Sequence, residues 1–217
     1  METLCLRVDV PICSFRPNWS REYQDTTSCP PPATVYGMLL SLAGVDWQGK
    51  ERYRGVKLAL ALEDMPELGR VFRKFRRVSQ SNPNADPLTS RRPDYQELLL
   101  GLRLWLWLQD GEARESLIDL VKTALDPSRR EGIARAGGLC LGESSHLVDW
   151  IGQDTPNAKG MFLAKDKAGV LSLPVWVRHP RDASGETILA RFTMGQDKDL
   201  VQPPEGDVRW VSIGLAP

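Results

Sequence analysis

The sequence has no excess of charge of either sign: among 217 residues, 28 Lys plus Arg stand against 28 Asp plus Glu. It has only two histidines, and none of its four cysteines (Cys5, Cys13, Cys29, Cys140) lies in a C-x-x-C pair. No H-E-x-x-H spacing occurs, so neither zinc nor any other metal is expected. Long apolar runs are missing too. The longest nearly uncharged apolar stretch, Pro30 to Val45, holds three prolines and falls short of the roughly 20 residues of a membrane span. The first ten residues alternate charge with aliphatics where a secretory signal would have an apolar block, which leads us to expect a cytoplasmic protein without membrane contact. No internal repeat and no low-complexity tract is visible.

What is present is ordinary for a globular chain, 41% hydrophobic and 26% charged. Leu4, Leu6, Val8 and Val10 alternate with Cys5, Arg7 and Asp9, a strand with one aliphatic face. Pro11 to Pro32, ending in three prolines, reads as an aromatic and basic loop. From Ala33 the apolar residues Val35, Met38, Leu39 and Leu42 recur at helical spacing, with Gly44 placed to end the helix. Val56 to Leu62 and Val71 to Val78 read as strands, and so does Leu98 to Leu108, with leucines at even positions and Gly101, Trp105 and Trp107 on the other side. The turn-rich residues 79–94 look like the tip of a long hairpin. Ala113 to Ala124 makes an amphipathic helix stopped at Asp126-Pro127, its Glu112, Glu115, Asp119 and Lys122 solvated. His146 to Ile151, Val170 to Arg178, Thr187 to Met194 and Val208 to Ile213 complete the predicted strands.

This order is the ferredoxin-like pattern. The expected class is α+β: a modified ferredoxin-like domain over residues 1–155, with a long basic β-hairpin about 70–108, and a β extension or small lobe over 156–217.

Neutral total charge hides an uneven distribution. Arg70, Arg73, Lys74, Arg76, Arg77, Arg91 and Arg92 share their segment with one acid, Asp86, so it carries +6 and the remainder −6. Such a ribbon suits a polyphosphate backbone, and Phe72 and Phe75 can stack on unpaired bases; a solvated edge strand would have the same charges. The backbone N–H groups of Ala33, Thr34 and Val35 at the helix start form a second candidate phosphate contact, with hydroxyls from Thr34 and Tyr36. The run Arg135 to Ser145, with Gly137, Gly138 and Gly142, matches neither a P-loop nor a dinucleotide fingerprint. It permits close backbone approach, by a strand or by a nucleic acid. No nucleophile elbow occurs, and His146 and His179 read as surface or packing residues.

Together, Phe15-Arg16 after the first strand, the stretch Cys29 to Gly44, the run Arg91 to Leu100, and Gly137-Gly-Leu-Cys-Leu-Gly-Glu-Ser144 resemble the fifth CRISPR-associated family, Cas5, over roughly the first 150 residues. The resemblance implies a RAMP-type (RRM-like) fold whose hairpin acts as a thumb. It implies a non-catalytic, cofactor-free subunit of a type I Cascade complex that holds the crRNA 5′ handle. The implied partners are crRNA, the backbone subunits, the large subunit and, through the assembled complex, target DNA. Arg16, Trp19, Arg21, Thr34, Tyr36 and the Gly137 to Ser144 loop would face the handle; Arg70, Arg73, Lys74, Arg76, Arg77, Arg91 and Arg92 would belong to the thumb. One subtype of the family instead cleaves repeat RNA without metal, using Tyr, Lys and His groups; no such cluster is evident in the sequence.

Overall fold

The computed structural model describes residues 2–17, 20, 25–76, 84, 91–135, 137–179, 186–195 and 198–215, with backbone alone for 75–76 and 91–94. Trp19, Arg21, Arg77 and Val78 lie outside the described residues.

In chain order the elements are β1 (Leu4–Cys13), α1 (Pro32–Leu42), β2 (Lys57–Leu62), β3 (Glu67–Arg76), β4 (Arg91–Gln109), α2 (Leu117–Leu125), β5 (Trp150–Gln153), β6 (Lys159–Lys165), β7 (Leu171–Trp176), β8 (Ile188–Met194), β9 (Lys198–Asp199) and β10 (Val211–Ser212). The strands join in one sheet ordered β5-β1-β4-β2-β6-β8-β7, with β3 on β4, β10 on β2 and β9 on β6. Every pairing is antiparallel. Among the described residues no helix is long and apolar enough to cross a membrane.

Each face of the sheet carries a core. Leu4, Leu6 and Val8 of β1, Leu58, Leu60 and Leu62 of β2, and Leu102 to Leu108 at even positions of β4 pack under α1 and α2. On the opposite face, Trp105 and Trp107 meet Phe162, Leu200 and Trp210, opposite the small residues Ala61 and Ala59 of β2. This large-against-small pairing lets the C-terminal segment lie flat on the sheet.

The leucine alternation of β4 does not run through. Gly101 takes φ +71° in the register gap opposite Pro11, between the Val10–Leu102 and Ile12–Leu100 pairs. Proline has no N–H for the ladder, and glycine accepts the left-handed turn that the gap imposes. Both strands change phase there together: Val10 and Cys13 are core, as are Leu102 and Leu99, while Ile12 is 47% exposed.

The helices follow their capping signals. α1 begins with Pro32 in its first turn and closes with Val45 N–H donating to Leu40 O (2.8 Å) around Gly44 at φ +72°, a glycine-terminated end. α2 starts later than the sequence pattern suggests, because Ser116 caps it: its Oγ accepts from Asp119 N–H (3.1 Å) and donates to Asp110 Oδ2 (2.7 Å). Asp110 Oδ1 also accepts from the Leu117 and Ile118 N–H groups, so Glu112 and Glu115 precede the helix.

Other boundaries differ as well. β1 extends to Cys13 into the expected loop, and β3 begins at Glu67. His146 to Asp149 is not strand. His146 N–H closes a turn onto Glu143 O (2.9 Å), Leu147 bridges to Cys140, and the regular strand starts at Trp150. The sequence reading missed β6, whose Met161 and Phe162 pair with Leu62 and Ala61 and so splice the C-terminal strands onto the same sheet. Val208 to Ile213 reduces to Val211–Ser212.

Candidate nucleic-acid interface

β3 and the outer part of β4 form a hairpin paired from Glu67–Leu100 to Arg76–Arg91. Phe72 lies opposite Tyr95 and Arg70 opposite Glu97, which by the two-residue period places Leu68, Arg70, Phe72, Lys74, Tyr95 and Glu97 on one face. Phe72 and Tyr95 are 56% and 61% exposed and meet edge to face at 5.4 Å. An exposed aromatic pair beside an exposed lysine is a surface on which an unpaired base can stack.

The arginines are not all unpartnered on this ribbon. Arg70 donates from Nε (3.3 Å) and Nη2 (2.9 Å) to Glu97 Oε1, and Glu97 Oε2 accepts the Thr26 N–H (3.3 Å). Arg73 projects from the other face and approaches Glu143 of the glycine loop at 4.0 Å. Arg76, Arg91 and Arg92 lie at the outer end of the described ladder.

At the foot of the hairpin is a buried polar junction. Gln96, 1% exposed, donates to Ser14 Oγ (3.3 Å) and Glu143 Oε1 (2.7 Å). His146, 3% exposed, accepts two backbone N–H groups at Nδ1, from Ser14 (3.2 Å) and Glu143 (3.1 Å). With Nδ1 so engaged the neutral ring carries its proton on Nε2, and burial pushes its pKa below the ordinary 6.5. Gly142, at φ +105°, makes this contact possible: a Cβ there would stand 2.5 Å from the Ser14 carbonyl oxygen. Of the two partners the sequence left open for the loop's close approach, Gly142 receives a strand end of its own chain. A Cβ on Gly138 would come 2.8 Å from Leu147, whereas Gly137 faces open space and Ser144 is exposed.

The helix start departs from expectation. The Thr34 and Val35 N–H groups both donate to the Pro31 carbonyl (2.9 and 3.1 Å), so they close the first turn of α1 and are not turned outward to an anion. Tyr36 is 4% exposed and its hydroxyl donates to Lys50 O (2.6 Å). Burial also holds that phenol far above its usual pKa. Arg16 is exposed and donates twice to the Ser20 carbonyl (3.0 and 2.8 Å). The Cys13 and Cys29 thiols are pushed up to about 12 by burial and serve as packing.

Gln96, Glu97, Ser14 and Glu143 were not singled out in the sequence. Their one signal is a pair of polar residues, Gln96 and Glu97, ahead of a leucine run.

On the far side of α1 a cavity of about 820 Å³ opens beside Tyr36, Gly37, Trp47, Lys50, Trp176 and His179. Here Trp47 stacks on His179 at 4.3 Å and 9°, and Lys50 Nζ donates to Val177 O (3.0 Å) while lying 4.5 Å from the Trp176 ring. The structure thus gathers Tyr36, Lys50 and His179, which the sequence leaves scattered, around one cavity.

No protein-family model matches the sequence. Solved structures that share the fold include a chain of a CRISPR RNA-guided surveillance complex, with TM-score 0.61 and 15% identity over 96% of each chain, and a Cas protein crystal structure, with TM-score 0.51 and 13% identity over 92% of this chain and 95% of that one. The architecture is therefore one found among CRISPR-associated proteins. A curated protein of Myxococcus xanthus (strain DK1622), CRISPR-associated protein Cas5, is 32% identical over 209 residues, covering 93% of both chains. The chain belongs to the Cas5 family.

Proposed function

We propose that this chain is a non-catalytic, crRNA-binding subunit of a type I Cascade effector complex, acting in the cytoplasm. It would hold the 5′ handle and cap the backbone of a complex that reaches target DNA through its guide. The observation that carries the reading is the buried Gln96–Glu143–His146–Ser14 junction. It fastens the basic hairpin to the glycine loop, so that two segments suited to RNA form one continuous rim. In this reading residues 1–155 are a ferredoxin-like unit, a view supported by the order β5-β1-β4-β2, and residues 156–217 are its extension. The hairpin is the thumb, offering Lys74, the outer arginines and the Phe72–Tyr95 pair. Family membership and the fold shared with a chain of an RNA-guided complex support the same reading.

The alternative is metal-independent cleavage of repeat RNA, which needs a base for the 2′-hydroxyl and an acid for the leaving oxygen. The cavity holding Tyr36, Lys50 and His179 has the residue types. Its phenol already donates to a carbonyl, however, and its ammonium to another, which favours the binding role. The deciding experiment is a gel shift of 5′-labelled repeat RNA and its handle fragment with purified protein in EDTA. Shifted, intact RNA is expected. Cut RNA would reverse the choice, with His179→Ala the next variant, and an unbound handle, alone and in the assembled complex, would defeat the reading.

A further inference from the structure

The cavity on the outer side of α1 lies apart from the hairpin and meets the glycine loop at Arg135, whose Nε donates to the Gly137 carbonyl (3.3 Å). Its floor is the helix backbone at Gly37, where an added Cβ would meet nothing within 4 Å. One wall is the stacked Trp47–His179 pair and the other is Trp176 with Tyr36. Arg135 and Arg178 stand at the mouth. The one acid of the lining, Asp46, accepts the Gly49 N–H (2.9 Å).

Base stacking needs an uncovered ring face. Tyr36 and Trp176 are each 4% exposed, and Trp47 and His179 each cover one face of the other. The Lys50 ammonium already has the Val177 carbonyl and the Trp176 ring. What remains open is an apolar cleft of ligand-pocket size under an arginine-bearing mouth. That combination fits a buried apolar anchor with carboxylates at its edge, the usual anatomy of a protein contact.

We propose that the α1 cleft is the docking site for a segment of another protein subunit, which inserts a large apolar side chain and brings an Asp or Glu to Arg135 and Arg178. The proposal rests on the reading of the chain as a subunit of a multi-protein effector complex and adds the chemistry of one partner to it.

The test uses the complex assembled in cells that co-express all subunits of its own system with their RNA. Val177→p-benzoylphenylalanine, at a position 49% exposed at the mouth, is irradiated and the adduct sequenced. The expected product is a cross-link to a different protein subunit, at an apolar residue within one helical turn of Asp or Glu. Gly37→Leu, which fills the floor and favours the helix, should lower the amount of that subunit retained at least tenfold, with RNA retention unchanged. Arg178→Glu should do so in part and Arg178→Lys should not. A cross-link to RNA or to a second copy of this chain, no adduct in an assembled complex, or full retention by Gly37→Leu would overturn the proposal. A wild-type chain that holds neither RNA nor any other subunit would defeat the underlying reading, and the proposal with it.

Discussion

Burial and hydrogen bonding act together on the ring of His146. Its Nδ1 accepts from two backbone N–H groups, so a second proton can enter only if both bonds are given up. Burial is the larger cause of its lowered pKa and Arg73 adds to it, while Glu143 opposes both. A histidine with a depressed folded pKa binds more protons unfolded than folded, so this contribution to stability is complete above the unfolded value and fades as pH falls below about 6.5. Urea melts should therefore show wild type losing stability from about pH 7 toward pH 5. His146→Gln, less stable throughout, should lose that part of the slope. Parallel pH profiles for the two proteins would mean that His146 does not titrate in this way.

The hairpin concentrates charge, but its foot and its outer half do different work. Arg70 and Arg73 have acidic neighbours, Glu97 and Glu143, that tie the ribbon to the body. Lys74 stands further out, on the face it shares with the exposed Phe72 and Tyr95 rings. For the binding role, Lys74→Gln combined with Arg76→Gln should weaken handle binding and flatten the log K against log salt plot by about 0.7 for each phosphate no longer neutralised. Arg73→Gln should act less through salt and more by loosening the loop. An unchanged salt slope in the double variant would remove the outer hairpin from the RNA contact. The strands of this hairpin were legible because leucine alternation and a turn-rich tip are local signals. The partners of Arg70 and Arg73 were not, because a carboxylate 27 residues away across a ladder, or 70 positions on in a loop, leaves no mark in a window of sequence. The same limit hid the Pro11–Gly101 phase change, where two unremarkable residues act only because the register sets them opposite one another.

Pairing of β6 with β2 bears on how the whole chain unfolds. The sequence allowed the last 62 residues or so to be a separate lobe, since nothing in a row of short strands says which edge they join. In the structure Leu163, Trp176, Phe192 and Ile213 share a core with α1 and the central strands, and Trp210 seals Trp105 and Trp107 from the outer face. Trp210 is itself fixed by Nε1 donating to the Pro203 and Pro204 carbonyls (both 3.1 Å). An element that completes both cores of a shared sheet should not come away before the rest, because its departure would expose apolar surface on two faces at once. We therefore expect one cooperative transition, with tryptophan fluorescence and far-UV circular dichroism giving the same midpoint. Trp210→Ala should lower stability by about 3–5 kcal/mol and shift both probes together. An early fluorescence step, leaving most of the dichroism for a second transition, would instead mark the C-terminal strands as a lobe that folds by itself, and would part the Trp176 wall of the α1 cleft from its floor at Gly37.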